Sequence, residues 1–318
     1  MQVFKNIIYQ DVVMSSRESI VFIVTKPLQI MMAMVIRDSF KSGTSCHLYI
    51  VNDFFNVAEV SQRLTNHDLQ WRSVTNFPTR QAAIDHLQYR SVDNVFIDSD
   101  VGIRLYLSLR AAKRRSKGLK ISVYEEGCGT YQDDYYPPLK AGFLRLLGVG
   151  DRLGGCHLTD EIWLYEKNEY LEIFPATKTL VREIRQPLHD FLKANMGLLK
   201  KIFVGNDEVI PSGSESNGDA CIIYLSSWRV YEEVVSDLQQ EKKDLYIKLH
   251  PHIKNYDSRW ISGHCRMLPS AVPAEIAIMD LAKHYLDILV YHHDSSVARY
   301  VSLENLRFVN LGDSDPLP

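Results

Sequence analysis

The chain has 318 residues, enough for two domains that each bury a core. Its 46% hydrophobic and 24% charged residues are ordinary for a globular protein, and a net charge of -3 gives no electrostatic ground for nucleic-acid binding. Five cysteines, Cys46, Cys128, Cys156, Cys221 and Cys265, are scattered without CxxC spacing, which excludes a disulfide-stapled scaffold and a zinc ribbon and suits a reducing compartment.

No apolar run approaches the roughly 20 residues that span a bilayer, and no signal peptide opens the chain, so a cytoplasmic location is expected. One local exception to the mild acidity is the run Lys113, Arg114, Arg115, Lys117 and Lys120. It suits the solvated end of a helix, or peripheral contact with an anionic or membrane surface.

An opening segment, Asn6 to Met14, allows an edge strand. The β-branched run Ser19 to Thr25 then predicts a buried parallel strand. It breaks at Thr25-Lys26-Pro27, where proline can open a helix from Leu28 to Phe40, and where backbone N–H groups would face a ligand. A strand CHLYIVND, a polar helix near Ala58 to Leu64, a strand LQWRSVT and a helix from about Thr79 to Leu87 follow. VDNVFIDSD reads as strand, Val101 to Lys117 as helix and Lys120 to Tyr124 as the fifth strand. Pro138 is expected to open a helix to Leu147, and DEIWLYEK from Asp160 to close the sheet.

A helix-like stretch, Lys178 to Leu199, leads into Pro211 to Gly218, the most linker-like segment. The second half restarts the alternation. Strands are expected at Ala220 to Leu225, Asp244 to Leu249, CRML from Cys265, ILVYHH and LRFVNL, with helices over Arg229 to Gln239, from Pro273 to about Lys283, and from Ser295. Strands alternating with helices define parallel βαβ units. The organisation is therefore a first domain over residues 1–172, a helical connection and linker over 173–218, and a second domain over 219–318.

Ligands of such sheets bind beyond the carboxyl ends of strands, so residue types at those exits are informative. In the first half Tyr124-Glu125-Glu126-Gly127 places two carboxylates there, either as surface acids or as a general base. Thr25 and Gln29 lie at another exit, on the cleft side. In the second half, Ser226-Ser227-Trp228 can line a pocket or cap a helix. Lys248-Leu249-His250-Pro251-His252 presents a histidine able to protonate or hydrogen-bond a leaving phosphate, or serving only as a structural partner. His250 and His252 lack a third metal ligand at recognisable spacing. Pro273-Ala274-Glu275 puts a carboxylate in a first helical turn, favourable to the dipole or to ribose hydroxyls. His293-Asp294-Ser295-Ser296 offers two hydroxyls at a strand-to-helix turn, as an N-cap or as a phosphate site.

Taken in order, the Glu-Glu-Gly exit, Lys-x-His-Pro, Pro-x-Glu and Ser-Ser resemble the motifs of bacterial lipooligosaccharide and capsule sialyltransferases and bacterial polysialyltransferases. The opening IVTKPLQIMMA is similar to their usual start, and the resemblance touches residues 19 to about 305. It implies an α/β fold of the GT-B type, two Rossmann-like domains with parallel sheets facing across a cleft. It implies inverting, metal-independent transfer of sialic acid from CMP-sialic acid to a glycan hydroxyl, without a cofactor.

In that reading Glu126 is the general base and His250 assists departure of CMP. Ser295 and Ser296 hold the phosphate, Glu275 the ribose, and Lys248, Trp228 and Pro251 complete the donor side. Glu125, Gly127, Thr25 and Gln29 lie toward the acceptor or the cleft. Two features depart from the family. Both acidic positions are Glu where some members carry Asp, and little sequence follows LRFVNL for a terminal helix returning to the first domain. A donor carrying another CMP-linked nonulosonic acid or Kdo, or a UDP-sugar, is the alternative, and a non-catalytic nucleotide or sugar sensor the second. The triplet Asp98-Ser99-Asp100 has the letters of a metal-dependent transferase signature.

Overall fold

The computed structural model describes residues 18–125, 127–205, 210–211, 219–241, 243–250, 253 and 264–312; Asn6 to Met14 and most of the expected linker lie outside them. The first sheet has seven parallel strands: β1 (Ser19–Val24), β2 (Ser45–Val51), β3 (Ser73–Phe77), β4 (Asn94–Ile97), β5 (Lys120–Tyr124), β6 (Glu161–Leu164) and β7 (Leu180–Glu183). Their order is β3-β2-β1-β4-β5-β6-β7. Helices α1 (Pro27–Asp38), α2 (Val57–His67), α3 (Arg80–His86), α4 (Ile103–Arg115), α5 (Pro138–Leu146), α6 (Lys167–Ile173) and α7 (Arg185–Phe203) connect and follow them.

The second sheet has five parallel strands, β8 (Ala220–Leu225), β9 (Asp244–Lys248), β10 (Cys265–Met267), β11 (Asp287–His292) and β12 (Leu306–Asn310), in the order β10-β9-β8-β11-β12. Its helices are α8 (Glu232–Gln240), α9 (Ala274–Leu281) and α10 (Val297–Tyr300). Because every pairing is parallel, all carboxyl ends of a sheet share one edge. Leu225 pairs with His292, so the exits of β8 and β11 stand level. In each sheet the order reverses beside the first strand of its half, and that switch point is where a crevice opens.

Burial explains the elements. β1 is buried from Ile20 to Val24, and β9 throughout, as expected for strands covered on both faces. Helix α1 is buried from Leu28 to Arg37, so its IMMAMVI run is apolar all round rather than on one stripe. Its one cation, Arg37, is sheltered by Asp68 at 2.6 Å and by the Trp71 ring at 4.6 Å.

The structure differs most from the expected outline in the first half and the connection. β6 does not close the first sheet: β7 adds beyond it, so the sheet runs to Glu183 and takes in the start of the expected connection. The helix expected from Lys178 begins at Arg185 instead. The strand expected over LQWRSVT is displaced to Ser73–Phe77, because Leu69 is exposed while Trp71 drops into the core beside Phe22. Helix α7 packs against α1 and α2 on one side and α9 and α10 on the other. Its Leu188, Leu192, Leu199 and Ile202 belong to one hydrophobic core that also holds Phe22 of the first sheet and Ile223 of the second.

Candidate active site between the two sheets

A cavity of about 420 Å³ lies where the two sheets' carboxyl edges meet. The first half contributes Lys26, Pro27 and Leu28 from the β1 exit and Asp53, Phe54 and Phe55 from the β2 exit. From the second half come Ser226 and Trp228 after β8, Lys248 and His250 at the end of β9, the loop from Ser270 to Glu275 before and into α9, and Ser295 and Ser296 after β11. Residues separated by up to about 270 positions are gathered because each stands at a strand exit. A larger cavity, of about 790 Å³, lies elsewhere in the first half, lined by Arg152, His157 and Lys178 among others; none of the motif residues reaches it.

His250 is held at both ends. Its backbone N–H donates to Ser226 Oγ at 2.8 Å, and its ring lies over the Trp228 indole at 4.5 Å between centroids. Trp228 is 71% exposed, so the pair forms an aromatic shelf at the cavity mouth. Lys248, buried, donates through Nζ to the carbonyls of Pro269 and Ser270, at 2.8 and 2.9 Å, which ties the β9 exit to the loop ahead of α9. Glu275 is buried in that wall, and desolvation raises its carboxyl above the ordinary range against the opposing pull of Lys248.

Ser295 and Ser296 both line the cavity, but α10 is a single four-residue turn. So short a helix brings little aligned dipole to an anion. The Ser295 N–H donates to His292 Nδ1 at 3.1 Å, and the Val297 N–H to Ser295 Oγ at 3.4 Å. Two backbone N–H groups of this turn are thus already spent, while both serines line the cavity.

The Glu-Glu-Gly exit meets this turn across the gap between halves. A Cβ built on Gly127 would lie 3.7 Å from both Cβ and Oγ of Ser296, and Gly127 has φ +122°, a conformation that favours glycine. Glu125 is fully buried, accepting from the hydroxyl of Tyr131 at 2.6 Å, the backbone N–H of Tyr165 at 2.5 Å and the hydroxyl of Tyr300. Burial raises its carboxyl above the usual range despite these donors. Glu125 is thus a structural tie between the halves, reinforced by Arg299 on Glu169 at 3.1 Å, and not a cleft-facing acid. Glu126, Pro251 and His252 lie outside the described residues.

Thr25 and Gln29 are also corrected. Both are buried, and the Gln29 side-chain carbonyl accepts from the backbone N–H groups of Thr25 and Lys26, at 2.7 and 3.1 Å. The turn expected to offer those donors to a ligand already spends them on Gln29. Thr25 Oγ1 donates to Asp98 at 2.5 Å, and Arg80 to the same carboxylate at 2.7 Å. Asp100 accepts from the N–H groups of Gly154 and Cys156 and from Thr159 Oγ1 at 2.6 Å. Both acids of the Asp-x-Asp triplet therefore brace the first half from within. No group of three or more candidate metal ligands occurs among the described residues.

Lys26, Asp53, Phe54 and Phe55 were not singled out from sequence. The strand-exit rule, applied to β2 as it was to later strands, would have found the last three.

No family model matches the sequence, and no curated protein matches it. In structure the chain is similar to a Listeria monocytogenes protein assigned by name to the UDP-N-acetylglucosamine 2-epimerases, with TM-score 0.55 and 13% identity over 89% of this chain and 76% of that one. It is also similar to S. aureus MnaA in its co-structure with UDP, with TM-score 0.51 and 15% identity over 86% and 74% of the respective chains. At these identities the likeness carries the fold alone. The chain has the GT-B fold, two α/β halves with parallel sheets whose carboxyl edges face a common cleft.

Proposed function

We propose that this protein is a nucleotide-sugar-dependent glycosyltransferase that binds its donor on the second half and its acceptor from the first. The observation that carries the reading is convergence: Trp228, Lys248, His250, Glu275, Ser295 and Ser296 line one cavity, with Gly127 of the Glu-Glu-Gly exit against Ser296. Glu126 is assigned as the base that takes the acceptor hydroxyl's proton. His250, oriented by Ser226 and Trp228, donates a hydrogen bond or proton to the departing phosphate. Ser295 and Ser296 hydroxyls hold that phosphate and Glu275 accepts from the ribose hydroxyls. A transition state with oxocarbenium character gains from both leaving-group and nucleophile assistance, and a closed cleft keeps water from the donor.

The donor assigned is CMP-sialic acid, on the strength of the four-motif resemblance. The charge of the lining supports a singly charged phosphodiester: Lys26 and Lys248 are offset by Asp53 and Glu275 among the described residues. A UDP-sugar is the second reading, favoured by the UDP bound in the S. aureus neighbour. Calorimetric titration with CMP, UDP and GDP separates the two, since a preference for UDP rejects the CMP donor. Incubation with CMP-sialic acid and a panel of galactosides and sialosides, read by mass and linkage analysis, tests the transfer itself. The reading assigns charge neutralisation to protein groups, so transfer should survive EDTA.

A further inference from the structure

Helix α5 is built the wrong way round for a helix covering a sheet. Leu139, Phe143 and Leu146 fall at i, i+4 and i+7, the spacing of an apolar stripe, yet they are 92%, 60% and 83% exposed. Only Leu144 of this helix is buried. Leu147 continues the patch beyond the helix end, and Ile103 and Leu107 of α4 are more than half exposed as well. The two helices belong to one surface. Gly102, at the start of α4, donates its N–H to Gly150 at 2.9 Å and stands so close to Tyr136 that an added Cβ would lie 3.1 Å from its hydroxyl. Tyr106 of α4 meets the ring of His157, whose N–H donates to the Gly148 carbonyl just after α5.

The two helices themselves carry charge of one sign. α4 carries Arg104, Arg110, Lys113, Arg114 and Arg115 and no acid, and α5 carries Lys140 and Arg145 and no acid. Ile103, Leu107, Arg110 and Arg114 share one exposed helical face, apolar at its start and cationic at its end. Of the nearby acids, Asp151 is paired with Arg145 at 2.6 Å and Arg152 at 3.2 Å, Asp160 holds Lys113, and Asp133 and Asp134 lie exposed in the loop ahead of α5.

From this complementarity we infer that α5 and the start of α4 seat the protein on an anionic lipid surface, with Leu139, Phe143 and Leu146 entering the headgroup boundary and the arginines of α4 facing lipid phosphates. An apolar stripe that water cannot satisfy, bordered by helices whose own charges are all cationic, is the pattern of an interfacial helix. No helix among the described residues is long and apolar enough to cross a membrane, so this contact is with the surface. Because α5 follows the Tyr131 to Pro138 loop, seating it there brings that side of the first half to the lipid face, where an acceptor carried on lipid would be met. The inference does not depend on which nucleotide fills the cleft.

Sedimentation with sucrose-loaded vesicles tests it, using phosphatidylcholine alone and phosphatidylcholine with about 30% phosphatidylglycerol. The full chain should pellet with the anionic vesicles, much less with neutral ones, and be released by about 0.5 M salt. The combined variant Leu139→Ser, Phe143→Ser and Leu146→Ser should lower the partition coefficient by about tenfold or more, with its circular dichroism and nucleotide affinity unchanged. Arg110→Glu with Arg114→Glu should weaken binding to anionic vesicles only. A wild-type chain that stays in the supernatant with both vesicles, or a triple-serine variant that pellets like wild type, overturns the inference. So does a concentration-dependent dimer abolished by the triple change without vesicle binding, which would give the face to a second copy.

Discussion

Replacing Tyr300 by Phe removes the hydroxyl that joins α10 of the second half to Glu125 of the first, and little else. The ring and its edge-on contact with Tyr165, at 5.1 Å, are retained. A hydrogen bond to a charged acceptor is worth about 1.5–3 kcal/mol and a neutral one about 1 kcal/mol, so the cost depends on whether Glu125 is ionised. Burial raises the Glu125 carboxyl, which means the folded protein holds that proton more tightly than the unfolded chain. The group's contribution is therefore complete below the ordinary glutamate value and is lost as pH rises through the folded one. The Tyr300 hydroxyl opposes that rise, so the variant's folded value climbs further. Tyr300→Phe should cost about 1 kcal/mol where Glu125 is protonated and about 2–3 kcal/mol where it is ionised, so the loss should grow as pH rises, read by urea unfolding across a pH series. No measurable loss at any pH, or a loss that shrinks as pH rises, would refute the assignment of Glu125 as a buried carboxylate tie.

Gly127→Ala should cost about 1–3 kcal/mol through its φ of +122° rather than by collision, since the nearest atoms of Ser296 stand at an ordinary 3.7 Å. Thermal unfolding checks this, and a variant as stable as wild type counts against it. His250→Ala and Glu126→Ala should each slow transfer by about 10²–10⁴-fold with the circular dichroism unchanged; full activity in both would favour the sensor reading. Glu275→Gln should weaken binding of the preferred nucleotide by about tenfold, the loss expected for a charge-assisted pair of hydrogen bonds. Its pH dependence adds a sign: the raised Glu275 carboxyl must ionise to accept from both ribose hydroxyls, so wild-type affinity should climb with pH while that of the variant stays flat. Calorimetry over that range decides it.

The parallel two-half architecture is legible because its strands are short β-branched runs with abrupt exits, as in IVFIV of β1 and IIYL of β8. β7 escapes because LVRE buries only Val181, leaving a polar edge strand that reads as the start of the next helix. At the site, strand-exit reasoning brings together the second-half residues but cannot tell Glu125 from its neighbour: what buries Glu125 is Tyr131, Tyr165 and Tyr300, none of them adjacent in sequence. Thr25 and Gln29 look like cleft residues for the same reason, their true partner Asp98 lying some seventy positions away. The tilted ring contact of Trp228 with His250 is likewise set by two different strand exits.

Helix α7 has the last word on how the halves relate. Because its Leu188, Leu192, Leu199 and Ile202 sit in a single oily mass with residues of both sheets, the molecule is not a pair of beads on a string. Severing the backbone after Glu183 would strip the first fragment of the ridge it leans on and leave the α1- and α2-facing side of α7 bare on the second, so neither piece should stay monodisperse by itself.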